Sequence, residues 1–312
     1  MNILITGATG YLGAEVIRSL LPNRKHKLYA LIRSKEKFQR LRLWCKADSQ
    51  QLLPVKADIC DLSGLPAGID TIIHTAAFRL DNDSIEAEKV NIAATTNLLN
   101  LAVKSGASRF IYLSSQSIYG WQGAPWSEKA PTSPKGIYAG SKYAGEKAVC
   151  QFSDRLNYLI LRPARMCGVS LITRWSELIP QFVGLIYQGK PISINGDGNQ
   201  RYDLIHVSDV AGFITKILEM YPDGWNDVYN IGGGGSESLN EIVENLTHIA
   251  SEMQLPPVNV VYKPQIGSGS PSRLELDTTY VRDKTGWIPH FRISDILREY
   301  MRAYSKLSET QG

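Results

Sequence analysis

Tyr138 and Lys142 stand four residues apart in the run Tyr138-Ala139-Gly140-Ser141-Lys142. On a helix that spacing puts both side chains on one face. An ammonium beside a phenol stabilises the phenolate, so the tyrosine can exchange protons near neutral pH. Tyrosine and lysine four apart are common, and the pair gains weight from a third residue. Ser115 lies in Tyr112-Leu113-Ser114-Ser115-Gln116-Ser117-Ile118-Tyr119-Gly120, just past an apolar run. A hydroxyl there can hydrogen-bond a substrate oxygen alongside Tyr138. Ser115, Tyr138 and Lys142 are therefore the candidate catalytic residues, with Ser115 and Gln116 as candidate substrate contacts.

A second constellation opens the chain: Thr6-Gly7-Ala8-Thr9-Gly10-Tyr11-Leu12-Gly13. Glycines at 7, 10 and 13 permit a tight turn, close approach of a pyrophosphate and close packing of a helix on a strand. The helix start presents free N–H groups and partial positive charge to phosphate. The loop follows the apolar run Ile3-Leu4-Ile5 and precedes a helical pattern, which is the context that such a loop requires.

The elements that must hold these residues are legible in outline. Strands are expected at 3–5, 28–32, 53–57, 71–74, 110–113 and 158–161, with helices at about 11–21, 90–103 and 138–152. Alternating strands and helices predict βαβ units and a parallel sheet. Nearly continuous Val/Ile/Leu runs suit strands covered on both faces. After Arg162-Pro163 the pattern loosens over 169–200. It resumes with a strand at 202–207, a helix at 208–221 and a strand at 228–231. Gly232 to Gly235 is too flexible for either element. Helices near 238–253 and 294–306 follow. The expected fold is α/β, a Rossmann-like doubly wound parallel sheet with a smaller C-terminal lobe. The expected division is 1–168 with 200–234 for the nucleotide-binding part, and 169–199 with 235–312 for the substrate lobe.

The spacing Gly-x-x-Gly-x-x-Gly, with Ser115 and Tyr138-x-x-x-Lys142 in that order, resembles the short-chain dehydrogenase/reductase superfamily. Further segments narrow this to its extended branch, the NAD(P)-dependent sugar epimerase/dehydratase family. They are Ile73-His74-Thr75-Ala76-Ala77, Lys56-Ala57-Asp58-Ile59, Val90-Asn91-Ile92, Leu161-Arg162-Pro163 with Gly168, Tyr229-Asn230-Ile231-Gly232 and Thr285-Gly286-Trp287-Ile288-Pro289. The resemblance implies that Gly7, Thr9, Gly10, Tyr11, Leu12, Gly13, Asp58, Ile59, Thr75, Ala76, Ala77, Tyr138 and Lys142 contact the dinucleotide. It also allows a homodimer through the helices near 90–105 and 138–152.

Where NAD-preferring members carry an acid, about 20 residues past the loop, this chain has Arg33, followed by Ser34. An arginine can pair bidentately with a 2′-phosphate that a carboxylate would repel. NADP(H) is therefore the favoured cofactor, with NAD(H) possible if Arg33 is simply a solvated charge. The 4,6-dehydratases carry Asp-Glu directly after the Ser/Thr; here Gln116-Ser117 cannot supply that acid–base pair. An epimerase or a keto-sugar reductase remains, acting by hydride transfer with Tyr138 as acid/base. On the substrate side, Tyr202 occupies a place commonly held by arginine, displacing Arg201 by one residue and so onto the other strand face. Arg165, Arg201 and Arg273 are the candidate contacts for a nucleotide-sugar diphosphate. The alternative is an NADPH-dependent carbonyl reductase of a non-sugar ketone or aldehyde. A non-catalytic NADP-binding scaffold is a third possibility, at odds with the complete triad.

The composition agrees. The 312 residues are 43% hydrophobic and 21% charged, which excludes disordered, collagenous and disulfide-rich classes. The net charge of +4 conceals a window, 24–46, with nine Lys/Arg against one acid, a local +8. Such a window can mark a nucleic-acid or membrane surface, but no nucleic-acid motif accompanies it; a cationic rim around a 2′-phosphate pocket is the simpler reading. Arg24, Lys25 and Lys27 are then solvated loop charges. Cys45, Cys60, Cys150 and Cys167 show no Cys-x-x-Cys spacing, so neither a metal nor a disulfide framework is expected. No leader pattern and no long apolar span is present, and the cytoplasm is the expected location.

Overall fold

The computed structural model describes residues 1–77, 85–121, 123–173, 177–264 and 272–309. The first half runs β1 (Asn2–Thr6), α1 (Tyr11–Leu20), β2 (Lys27–Ile32), α2 (Lys35–Cys45), β3 (Leu52–Lys56), β4 (Thr71–His74), α3 (Ile85–Lys104), β5 (Arg109–Leu113), a 3-10 turn (Gln116–Tyr119), α4 (Gly136–Cys150) and β6 (Asn157–Pro163). Then come β7 (Arg165–Cys167), α5 (Leu178–Tyr187), β8 (Ile192–Asn195), β9 (Arg201–His206), α6 (Val207–Glu219) and β10 (Asp227–Ile231). The chain ends with β11 (Ser236–Ser238), α7 (Leu239–Glu252), β12 (Val260–Lys263), β13 (Arg273–Leu274), α8 (Thr279–Thr285) and α9 (Ile293–Glu309).

Seven strands form one sheet in the order β10-β6-β5-β4-β1-β2-β3, with every paired neighbour parallel. Sequence order reverses between β1 and β4, so a crevice opens there at the C-terminal edge of the strands. Alternation along β1 explains the two-sided burial. Ile3 and Ile5 pack in one core with Val16, Ile17, Ile214 and Ile217 of α1 and α6. Leu4 packs in the other with Leu98, Leu99 and Val149 of α3 and α4. A third core, in the lobe, joins Ile179 and Val183 of α5, Leu246 of α7 and Ile296 and Leu297 of α9.

The structure adds elements where the sequence pattern was weak. The basic window contains α2, capped by Ser34, whose hydroxyl accepts from Lys37 N at 3.2 Å. Only Phe38 and Leu41 of that helix are buried, so its charged face hid its period. The loosely patterned 169–200 contains α5, a short helix that is apolar at nearly every position and so lacks the polar positions that mark a surface helix in sequence. β7 and β9 pair with each other and, through β9, with β11 and β13, in a small sheet apart from the seven-stranded one. The four-glycine run forms no helix or strand but is held closely. Gly233 N donates to Asp203 Oδ1 at 2.7 Å. A Cβ on Gly233 would come within 2.0 Å of Leu204 O. Buried and flanked by Glu275, the Asp203 carboxyl is pushed up to about 7.

Helix α4 reaches the sheet through Gly145, where an added Cβ would fall 2.0 Å from Tyr112 Oη. Gly145→Ala is expected to lower stability by roughly 1–3 kcal/mol through overpacking. Tyr112→Phe in the same chain should recover part of the loss. Urea midpoints of the two single variants and the double variant check this; simple additivity would contradict it.

Candidate active site

One cleft of about 990 Å³ opens over the C-terminal edge of the large sheet. It gathers residues from distant parts of the sequence. Gly7, Thr9, Gly10, Tyr11, Leu12 and Gly13 line it from the first loop, and Arg33 and Ser34 from the end of β2. Asp58 and Ile59 follow β3, and Thr75, Ala76 and Ala77 follow β4. Ser115 and Gln116 follow β5, Tyr138 and Lys142 lie on α4, and Arg165 starts β7. Arg201 and Arg273 are not among its lining residues.

The glycine loop is shaped for close approach. Gly7 has φ +66°, and a Cβ on it would sit 2.8 Å from Ala76 N and Thr75 Oγ1. A Cβ on Gly13 would come 2.2 Å from Gly7 O, so only glycine lets α1 start there. Gly10 caps α1 without a side-chain hydrogen bond, and the first turn carries no acid. A helix start of this kind suits a pyrophosphate. The residues present thus fit a dinucleotide. Farther along, Arg33 is 72% exposed and its guanidinium lies 3.9 Å from Asp58. Asp58 accepts from Cys60 N at 2.9 Å, and that bond, with Arg33 beside it, holds the carboxyl below its usual range. Lys37, Cys60, Trp121 and Tyr300 also line the cleft. Of these only Lys37 carried a sequence signal, the basic window. Arg24, Lys25 and Lys27 lie near the opposite, N-terminal edge, where Lys25 O accepts from the chain's amino terminus.

The catalytic candidates are set by α4 and the turn after β5. Tyr138 lies in the first turn of α4 and Lys142 one turn later. Ser115 caps the 3-10 turn, its hydroxyl accepting from Ser117 N at 3.2 Å. Lys142 is buried, its Nζ donating to Leu113 O at 2.6 Å. Burial pushes this ammonium down to about 8, opposed by the Glu146 carboxylate. The lysine is therefore close to the point where its charge can change.

His74 is also buried beside the cleft, bridging Thr6 Oγ1 at 2.7 Å and Thr95 Oγ1 at 3.1 Å. Thr95 donates its proton to Asn91 O at 2.8 Å. It must then accept from His74 Nε2–H, leaving Nδ1 to accept from Thr6. Burial, helped by the Lys142 charge, pushes the imidazole down to about 3, so it is a neutral tie and not an acid.

The substrate end shows why strand register matters. On β9, Tyr202 and Leu204 line the cleft while Arg201 does not. Arg201 bonds Ser236 and pairs with Glu241 at 3.1 Å. Arg273 donates twice to Glu275, both at 2.7 Å, while its neighbour Leu274 lines the cleft. Arg165 stands over the Tyr202 ring at 5.7 Å, with Glu177 at 3.4 Å. No group of three or more His, Cys, Asp or Glu suited to a metal occurs among the described residues. No helix among them is long and apolar enough to cross a membrane.

A doubly wound parallel sheet, a glycine loop at its switch point and Ser, Tyr and Lys around one cleft define a nicotinamide-dependent oxidoreductase fold. The model of the NAD dependent epimerase/dehydratase family matches residues 3–232, and the chain belongs to that family. It is an enzyme of this family, using a nicotinamide cofactor. It is 28% identical to a dTDP-glucose 4,6-dehydratase of Streptomyces niveus over 97% of this chain and 93% of that protein. It is 27% identical to a UDP-glucose 4-epimerase of Mycolicibacterium smegmatis over 99% of this chain and 100% of that one. The fold matches a Bacillus cereus UDP-glucuronic acid 4-epimerase, solved with UDP-glucuronic acid and NAD, with a TM-score of 0.84. That match has 22% identity and covers 98% of this chain and 100% of that one.

The depressed Lys142 value has a direct consequence. Between about pH 8 and the ordinary lysine value of 10.5 the unfolded chain holds a proton that the folded chain has lost. Stability of the cofactor-free protein therefore gains a rising contribution with pH across that window. Lys142→Met should remove this contribution, so the difference in thermal midpoint between variant and parent changes with pH there. A constant difference would contradict the assignment.

Proposed function

We propose that this enzyme transfers a hydride at a ring carbon of a nucleotide-linked sugar, as a 4-epimerase or a 4-keto reductase, with NADP(H) preferred over NAD(H). The observation that carries the reading is the lining of one cleft by the glycine loop together with Ser115, Tyr138 and Lys142. Tyr138 takes or gives the proton at the substrate oxygen, Ser115 hydrogen-bonds that oxygen, and the Lys142 ammonium favours the phenolate. The nicotinamide supplies or accepts the hydride. The relatives named above act on dTDP- and UDP-sugars, which supports a nucleotide sugar here. Their 4,6-dehydratase activity is not carried over, because Gln116 and Ser117 have no carboxyl group for eliminating water.

The cofactor preference rests on Arg33 and Lys37, which both line the cleft just past β2. The solved B. cereus relative holds NAD; Arg33 and Lys37 are the features of this chain that favour NADP. A homodimer through α3 and α4 and a cytoplasmic location belong to the same reading. Arg201 and Arg273, outside the cleft lining, favour a second reading, reduction of a non-sugar carbonyl. Arg165 remains in the cleft as a cation for phosphate.

Tyr138→Phe should lower turnover by roughly 10²–10⁴-fold in an enzyme that still binds cofactor; retained turnover would remove Tyr138 from the chemistry. Arg33→Asp should weaken NADP relative to NAD by roughly ten-fold or more, read from the two Michaelis constants; an unchanged ratio would contradict the preference. Incubation with UDP- and dTDP-hexoses should give product without loss of water by mass spectrometry. A dehydrated sugar product would overturn the assignment, and turnover of simple ketones alone would select the second reading.

A further inference from the structure

The cofactor end of the cleft uses only part of the basic window at 24–46. Of its nine Lys/Arg, Arg33 and Lys37 line the cleft and the other seven do not. Arg24 and Lys25 lie in the loop before β2, and Lys27 opens that strand. Lys35, Arg40 and Arg42 are on α2, and Lys46 follows its end. Strands β2 and β3 are parallel, so α2 must run back from the C-terminal edge of the sheet to the N-terminal edge. β3 is the last strand of the sheet, at the end opposite β10. The nine bases thus form a strip along this flank, from the mouth of the cleft to the loop before β2. All but the half-buried Arg42 are exposed.

Two features set this strip apart from ordinary solvated charge. The first is that its bases are not offset. Among the described residues outside the window, eight arginines meet a carboxylate at 3.5 Å or closer. Of the nine bases within it, only Arg33 meets one among the described residues, at 3.9 Å. Glu36 is the one acid inside the window, and Asp48, just beyond it, accepts from Gln50 N at 2.8 Å. The rest of the chain carries 25 Lys/Arg against 29 Asp/Glu, so the positive field is concentrated on this flank. The second feature is an apolar side chain on the same face. Leu43 is 77% exposed, more than any other large hydrophobic residue among those described. At about 100° per residue it stands on the side of α2 opposite the buried Phe38 and Leu41, about one turn from Arg40 and Lys46.

We propose that this flank docks the enzyme on an anionic lipid surface, with the bases over the headgroups and Leu43 entering the boundary of the acyl chains. Mobile headgroups spread over a plane match charges spread along a strip: α2 spans about 16 Å and β2 about 20 Å. Anionic headgroups attract each Lys or Arg held near them, and the attraction fades within a Debye length. Leu43 supplies the apolar contact that bases alone lack, as on helices that lie in a membrane interface. It also decides between polyanions. A nucleic-acid backbone would use the bases but give the leucine no apolar contact. Because α2 keeps Phe38 and Leu41 in the core, docking needs no unfolding of the helix. Arg33 and Lys37 end the strip, so the cofactor end of the cleft lies beside the bilayer in the docked enzyme. The proposal does not depend on which sugar or carbonyl compound the enzyme takes.

The test is flotation of the full chain with vesicles of phosphatidylcholine alone or of equal parts phosphatidylcholine and phosphatidylglycerol, at low and at physiological salt. The parent should partition onto the anionic vesicles roughly ten-fold or more above the neutral ones, and less as salt is raised. The triple variant Lys25→Glu, Arg40→Glu, Lys46→Glu should lower that partition roughly ten-fold or more. The triple variant Lys190→Glu, Lys263→Glu, Lys284→Glu changes the net charge equally at exposed sites outside the strip and should lower it far less. Leu43→Ser should weaken vesicle binding several-fold and leave any affinity for a short DNA duplex unchanged. All three variants should keep the far-UV circular dichroism of the parent. Absence of binding to the anionic vesicles, or equal loss in the two triple variants, would overturn the proposal. So would tighter binding to the DNA duplex than to the vesicles, or vesicle binding that Leu43→Ser leaves as it was.

Discussion

The guanidinium of Arg162 is the point on which the active-site geometry depends. It leaves β6 and meets Glu146 of α4 through two bonds, at 3.0 and 2.7 Å. Its remaining arm donates to Tyr119 Oη at 2.7 Å and to Glu128 O at 3.0 Å. Tyr119 in turn donates to Asn230 of β10 at 2.7 Å. Both partners of the ion pair are nearly fully buried, with side-chain exposures of 8% and 5%. Burial alone would pull the arginine down; Glu146 and Tyr119 outweigh it and hold the proton on. One buried, bidentate pair thus fixes the helix carrying Tyr138 and Lys142 against the turn that begins at Ser115. Removing one partner would leave the other charged and alone, a change that costs about 3–5 kcal/mol in buried pairs.

The dinucleotide side is held by a different device. His74 ties β4 to β1 through Thr6 and to α3 through Thr95, across the switch point where the crevice opens. Because the imidazole stays neutral, it adds no charge near Lys142. Thr75 Oγ1 donates to Thr6 O at 2.7 Å and Ala76 N to Thr6 Oγ1 at 3.2 Å, so the glycine loop and the segment after β4 are registered together. Tyr11 extends the tie to the lobe, donating to Gly168 O at 2.7 Å, where Tyr300 of α9 also binds.

How much of this was legible follows from the range of each interaction. Ile3-Leu4-Ile5, the glycine spacing and Tyr138-x-x-x-Lys142 are local patterns, and sequence alone pointed to the strand, loop and helix that carry them. The helix α2 was hidden because its charged residues outnumber the two that it buries, and α5 because it is apolar at nearly every position. The fate of Arg201 turned on strand register, which a one-residue displacement suggested. That of Arg273 turned on pairing between β13 and β9 across a long stretch of chain, for which sequence carried no signal.

The central claim is that substrate carbon, cofactor and Tyr138 meet in one cleft for hydride transfer. The most direct measurement is the fate of deuterium placed on the reacting ring carbon of a UDP-hexose, followed after rapid denaturation of the enzyme. The account predicts label on the nicotinamide ring with the parent enzyme and none with Tyr138→Phe. Turnover with no label on the nicotinamide, or exchange of the label with water, would contradict it.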